Sequence, residues 1–245
     1  MATRRAAARG YSSERGFYAT MAITIVASII AGFLPSYFLR GVIDPGPPLA
    51  PMTPLVHAHG ALFTAWMLLF LVQVLLVTGG RPDIHRNLGL LAVALLPAMI
   101  VVGTLSGLHQ VARASGPPIV PPLSWLAIPL LSVPVFGGLI GWAIVKRRDG
   151  QTHKRLMLIA MIEMTSPGLG RLPWPAYIPG PVGLFGFTDL FLVALALWDV
   201  KRDGRIHRAT AIGGLILIGS QLMRISIWQT GPWLAFARWA TGLVA

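Results

Sequence analysis

Long apolar runs, each closed by a short cluster of basic residues, alternate along nearly the whole chain. Crossing the hydrocarbon of a bilayer takes about 20 apolar residues in a helix. Seven runs reach or approach that length: Phe17 to Leu39, Leu55 to Val77, Asn87 to Gln110, Ser124 to Val145, Leu156 to Gly170, Val182 to Trp198 and Ala209 to Trp228. The fifth and sixth are short, and each carries a carboxylate, Glu163 and Asp189. The pattern predicts an all-α fold, an integral membrane bundle of seven transmembrane helices. Residues 1–16 form a basic leading segment, 17–230 the membrane domain and 231–245 a tail. In the tail Trp233, Phe236, Trp239 and Leu243 recur at helical spacing after Gly231-Pro232, with Arg238 off the stripe, which predicts a short helix lying in the headgroup region.

Charge orients this array, because loop Lys and Arg accumulate on the cytoplasmic side. With the N-terminus inside, fifteen basic residues, from Arg4 through Arg81, Lys146, Arg155 and Lys201 to Arg208, face the cytoplasm. Only Arg40, Arg113, Arg171 and Arg238 lie outside, and Arg224 falls within the seventh run. The C-terminus is therefore expected in the periplasm. The first run lacks a small-residue cleavage site, so it reads as an uncleaved signal anchor.

Composition agrees: 55% of the 245 residues are apolar and 11% charged, less than half the charged share of an ordinary soluble domain. The net charge of +12 then reflects topology, and nucleic acid is excluded as a partner. The absence of cysteine excludes disulfides, thiolate metal sites, iron-sulfur clusters and thiol nucleophiles. Inner loops are tight and basic. The outer ones are rich in proline, at Asp44-Pro-Gly-Pro-Pro, Gly116-Pro-Pro-Ile-Val-Pro-Pro and Leu172-Pro-Trp-Pro-Ala-Tyr-Ile-Pro-Gly-Pro, which suits an ordered cover over the bundle.

One internal echo stands out. Residues 147–154 and 201–208 share the pattern K/R-R-D-G-x-x-H-K/R, and Arg81-Pro-Asp-Ile-His-Arg86 is a shortened form. Each precedes an outward-going run, so His85, His153 and His207 form an inner layer. A turn at Asp-Gly and an interfacial histidine account for the pattern without a ligand. His57, His59 and His109 form a matching outer layer. Two facing histidine layers suit a membrane cytochrome, which makes haem b or a divalent metal the candidate cofactor and all six histidines candidate ligands. His57 and His59, two apart, point to different sides of a regular helix.

At 1.5 Å per residue from the inner basic boundaries, Gln73 and Glu163 lie about 12 Å deep, Asp189 about 15 Å, Gln221 about 20 Å and Arg224 about 24 Å. A midplane carboxylate costs at least about 2.5 kcal/mol unless it faces the bundle interior or is protonated. These five residues are therefore expected to form a buried polar cluster, and a polar cavity in the outer half is expected from the second, fifth, sixth and seventh spans. Arg224 pairing with one carboxylate as interhelical glue is the competing account. H-E-x-x-H, G-x-S-x-G, Walker and dinucleotide glycine patterns are absent, and the seventh run has no lysine for a retinal Schiff base.

The segments Gly32-Phe-Leu-Pro-Ser-Tyr-Phe-Leu-Arg40, His57-Ala-His-Gly-Ala-Leu-Phe-Thr-Ala-Trp66, His85-Arg-Asn-Leu-Gly89 and His153-Lys-Arg-Leu-Met157 together resemble a group of uncharacterised bacterial multi-pass inner-membrane proteins. The resemblance implies a polytopic protein of the bacterial inner membrane. The stretch at His85 is also similar to haem-binding membrane proteins such as haem A synthase, from which no catalytic role is carried over. Three functions stay open at this point: a haem- or metal-binding redox protein, an accessory subunit of a larger membrane complex, and a proton-coupled transporter of a small solute.

Overall fold

The computed structural model describes residues 2–44, 49–116, 120–175, 177, 178, 180 and 182–244, with side chains from residue 13 onward except Val182. Among these residues all regular structure is helical. The order is α1 (Ala2–Phe33), a π-helical turn (Leu34–Phe38), α2 (Pro54–Thr78), α3 (Pro82–Ala112), α4 (Pro122–Trp125), α5 (Ala127–Val145), α6 (Gly150–Leu169), a second π-helical turn (Val182–Gly186), α7 (Phe187–Asp203), α8 (Arg208–Ile227) and α9 (Gly231–Gly242). Six stretches are long and apolar enough to cross a membrane: Ser13–Phe38, Pro54–Thr78, Pro82–Ala112, Pro122–Val145, Gly183–Asp203 and Arg208–Ile227. The protein is thus a helical, polytopic membrane protein.

Prolines start α2, α3, α4 and α9, where the missing N–H costs nothing and the fixed φ already suits a helix. Thr53 caps α2 by accepting from Val56 N at 3.4 Å. Asp149 caps α6, accepting from Gln151 N at 3.1 Å and Thr152 N at 3.2 Å. The hydroxyl of Thr152 also donates to it, and that bond above all holds the Asp149 carboxyl below the usual range.

The repeated R-D-G-x-x-H motif is used differently in its two copies. In the first, Asp149 is the cap. In the second, Gly204 takes φ +69° to end α7, a conformation that favours glycine, and His207 caps α8 by accepting Ala209 N–H on Nδ1 at 3.1 Å. That bond needs a neutral ring. Burial chiefly, and then nearby Arg155, lowers the His207 pKa against the opposing pull of Asp199, Asp149 and Asp203. The folded state therefore binds the proton less well than the unfolded chain. The contribution is whole above about pH 6.5 and is lost as pH falls through the lower folded value. The midpoint of thermal unfolding should fall between about pH 7.5 and 5, and His207→Asn, a cap that does not titrate, should flatten that slope. An equally steep profile in the variant would dismiss the cap.

Helix α6 occupies the centre, packed against α1, α5, α7 and α8. Its position corrects two expectations. The helix that carries the fifth run begins at Gly150, not Leu156, and Arg155 is fully buried rather than a loop cation. Arg155 donates to Asp199 Oδ1 from Nε at 2.9 Å and Nη2 at 2.6 Å, and to Gln151 O at 3.0 Å. Asp199, equally buried, also accepts from Thr210 Oγ1 at 2.5 Å and His207 N at 3.1 Å. Beside this knot Glu14 of α1 pairs with Lys154 and Arg202. Counted from Gly150 and Asp203, the true ends, Glu163 and Asp189 lie about 20 Å in, deeper than the sequence boundaries indicated.

The tail also differs from expectation. α9 turns Trp233, Ala237, Ala240 and Thr241 inward, with Trp233 Nε1 donating to Leu123 O at 3.1 Å, while Phe236, Trp239 and Leu243 face outward. The aromatic stripe is therefore split: Trp233 joins a core with Trp125 and Phe185 instead of lying with the others on one outer face. Residues 45–48, 117–119, 176, 179 and 181 of the three proline-rich loops, and the side chains of Arg4, Arg5 and Arg9, lie outside the described residues.

Candidate functional site

At the end of the bundle away from the Arg155 knot, a cavity of about 370 Å³ opens between α1, α2, α3, α5 and α6. That size falls within the roughly 300–1,000 Å³ usual for small-molecule sites. Phe33, Phe63, Met67, Met99, Phe136 and Met164 contribute to its largely apolar wall. Residues 49–52 border it from the loop between α1 and α2, where Arg40 Nη2 donates to Ala50 O at 2.9 Å and Arg113 Nη2 to Pro51 O at 2.9 Å. A cavity was expected from the second, fifth, sixth and seventh spans, and the one present is built mostly from other helices. Of the sixth run only Leu184 reaches it, and no described residue of the seventh run lines it.

Buried polar atoms without a hydrogen-bond partner converge here. Ser36 Oγ, His59 Nδ1, Ser106 Oγ and both carboxylate oxygens of Glu163 are in that state among the described residues, and all four side chains line this one cavity. An unmet buried polar group costs about 1–3 kcal/mol. Such groups at an opening of ligand size can bond to a molecule placed there.

Glu163 has a double position. It lines the cavity on one side, and on the other its Oε1 lies 2.7 Å from Nη2 of Arg224 in a fully buried ion pair, although the alignment is not that of a hydrogen bond. The Arg224 guanidinium also donates from Nη1 to Ser132 Oγ at 2.9 Å and from Nη2 to Ser220 Oγ at 2.5 Å. The remaining candidates separate from this pair. Gln221, on the same face of α8, donates to Asp189 Oδ1 at 3.0 Å. Gln73 stands by itself near Gly89 of α3, its Oε1 buried and unpartnered. The expected five-residue cluster is thus two pairs and a single residue.

The histidines are likewise distributed. His59 stacks on Phe63 with ring centroids 4.0 Å apart, His57 is exposed, and both belong to the regular part of α2, so they face different sides. His109 lines the cavity. His85 and His153 approach to 6.3 Å between centroids, each donating from Nδ1 to a carbonyl of the preceding helix, Gln73 O at 3.4 Å and Ala143 O at 2.9 Å. These two therefore latch α3 to α2 and α6 to α5. Among the described residues no three or more His, Asp or Glu side chains are grouped to hold a metal ion. Sequence reasoning missed Ser36, Ser106 and the arginines at the opening. Each is an ordinary residue alone, and only their meeting at one cavity gives them meaning.

No protein family, no curated relative and no solved structure matches the chain.

Proposed function

We propose that the chain is a seven-span protein of the bacterial inner membrane, N-terminus cytoplasmic and C-terminus periplasmic, that binds a small organic ligand in the cavity of its outer half. α6, fifth in chain order, brings the six membrane-length stretches to seven on this reading: its 20 residues extend about 30 Å, the thickness of the hydrocarbon, and its charges are sheltered by its neighbours. The excess of basic residues at one end supports the orientation. The observation that carries the function is that buried polar atoms of Ser36, His59 and Ser106 without a hydrogen bond, and the ion-paired Glu163, line one cavity of ligand size. We favour this over a haem- or metal-centred redox role, because four of the six candidate histidines serve separate local purposes: a stack, two helix latches and a cap.

The test is to fill the space. Protein extracted in mild detergent should yield a solvent-extractable compound near stoichiometry by mass spectrometry, and Ser106→Phe, whose ring would enter the cavity, should lose it while unfolding at a similar temperature. Equal extracts from both proteins, or none from either, would overturn the reading.

A further inference from the structure

We propose that the ligand is an amphiphilic anion, with an apolar chain or ring lodged among the five helices and one carboxylate or phosphate head held at Arg40, Arg113 and Arg171. This rests on the reading of the cavity as a binding site and adds the class of molecule it takes. Four arginines lie at this end of the bundle, Arg40, Arg113, Arg171 and Arg238, and three of them line the one cavity. Among the described residues none of these three forms a salt bridge with a carboxylate.

Their hydrogen bonds go to carbonyls: Arg40 to Leu49 and Ala50, Arg113 to Pro51, and Arg171 Nη1 to Pro167 O at 2.7 Å. Such bonds position a guanidinium without cancelling its charge, and each guanidinium has five N–H donors, most of them unspent. On the acidic side the loops at this end carry a single carboxylate, Asp44, and the cavity's own Glu163 is matched by Arg224. The opening is left with an excess of positive charge.

Below that rim the wall is aromatic and thioether, which favours an apolar body. Ser106, seven residues inside Arg113 on α3 and so about 10 Å deeper, offers a hydroxyl to a polar atom along the ligand. A head group held by arginine forks above and an apolar body below account together for the charge, the lining and the polar atoms. A neutral ligand would leave three cations unmatched at the edge of a low-dielectric space, and a bare anion would leave the apolar wall empty.

The test uses the full chain in nanodiscs of phosphatidylcholine, with isothermal titration of octyl phosphate, octanol and inorganic phosphate, and empty nanodiscs as the blank. The expected result is that octyl phosphate binds at least about tenfold more tightly than octanol and that inorganic phosphate gives no binding; a tenfold ratio corresponds to about 1.4 kcal/mol. Arg40→Gln combined with Arg113→Gln should reduce octyl phosphate to the level of octanol. Should that double variant not fold, Arg171→Gln alone should remove part of the preference. Equal affinity for octyl phosphate and octanol, both lost in Ser106→Phe, would overturn the anion and leave the cavity as the site. Binding unchanged by Ser106→Phe, or absent for all three probes, would overturn the cavity as well. Phosphatidic acid added to the disc separates the two sources of such a head: competition with octyl phosphate assigns it to a bilayer lipid, and lack of competition assigns it to a soluble amphiphile.

Discussion

Asp199→Ala should destabilise the bundle by about 3–5 kcal/mol, the range for removing one partner of a buried ion pair and leaving the other charge uncompensated. Arg155 is fully buried and gives two of its hydrogen bonds to this carboxylate, so without it the guanidinium retains only Gln151 nearby and the distant Asp203 at 3.7 Å. Thr210 and the backbone N–H of His207 lose their acceptor at the same time. One side chain thus loosens α6, α7 and the start of α8 together. Asp199→Asn should cost less, since the amide oxygen still accepts. Asp203→Ala should cost under about 1 kcal/mol, because its side chain is 41% exposed and its pairs with Arg155 and Arg202 are long, at 3.7 and 3.6 Å. Thermal and denaturant unfolding of the three variants in detergent gives the order directly. Asp199→Ala within about 1 kcal/mol of the wild type would mean that the network contributes little.

That network explains why part of the fold was hidden in the sequence. A charged residue beside an apolar run reads as the run's end, and by that rule Arg155 and Asp199 became boundaries. In the folded protein each answers the other across 44 positions of chain, so both lie inside. The same misreading shortened α6. The six other membrane-length stretches announce themselves because they expose apolar side chains such as Leu90, Val101 and Leu215 where lipid would be. α6 is ringed by protein, needs no such face, and can carry Lys154, Arg155 and Glu163. The pairing of Arg224 with a carboxylate was legible as one of two accounts of those residues, since a lone buried guanidinium needs a counter-charge. A cavity was expected, but most of its lining was not legible. Its polar atoms come from helices separated by more than a hundred residues, and its arginines stand in loops where topology already explains a few cations.

The packing that shapes the cavity depends on a pair of glycines, and Gly32→Ala is expected to be as damaging as a buried-charge variant. α1 crosses α6 so closely that a Cβ on Gly32 would overlap the carbonyl oxygen of Gly168, and one on Gly168 would stand 2.9 Å from Cα of Ile29. The obstacle in both cases is backbone, which cannot rotate aside as a side chain can. In membranes small residues earn their place at such crossings because close approach of backbones, rather than exclusion of water, holds helices together. Overpacking a core costs about 1–3 kcal/mol when side chains can adjust, so a backbone clash should reach or exceed the upper end, about 3 kcal/mol. Ile29, Phe33 and Pro167 border the cavity next to this crossing, so a displaced α1 also changes the cavity wall. Gly32→Ala should therefore lower both the unfolding midpoint and the binding of octyl phosphate, more than tenfold. Gly138→Ala and Gly219→Ala, where nothing lies within 4 Å of the added carbon, should be neutral or slightly stabilising, by up to about 1 kcal/mol from improved helix propensity. Normal stability and binding in Gly32→Ala would show that α1 can shift from α6 without consequence, and the close crossing would then have no part in shaping the site.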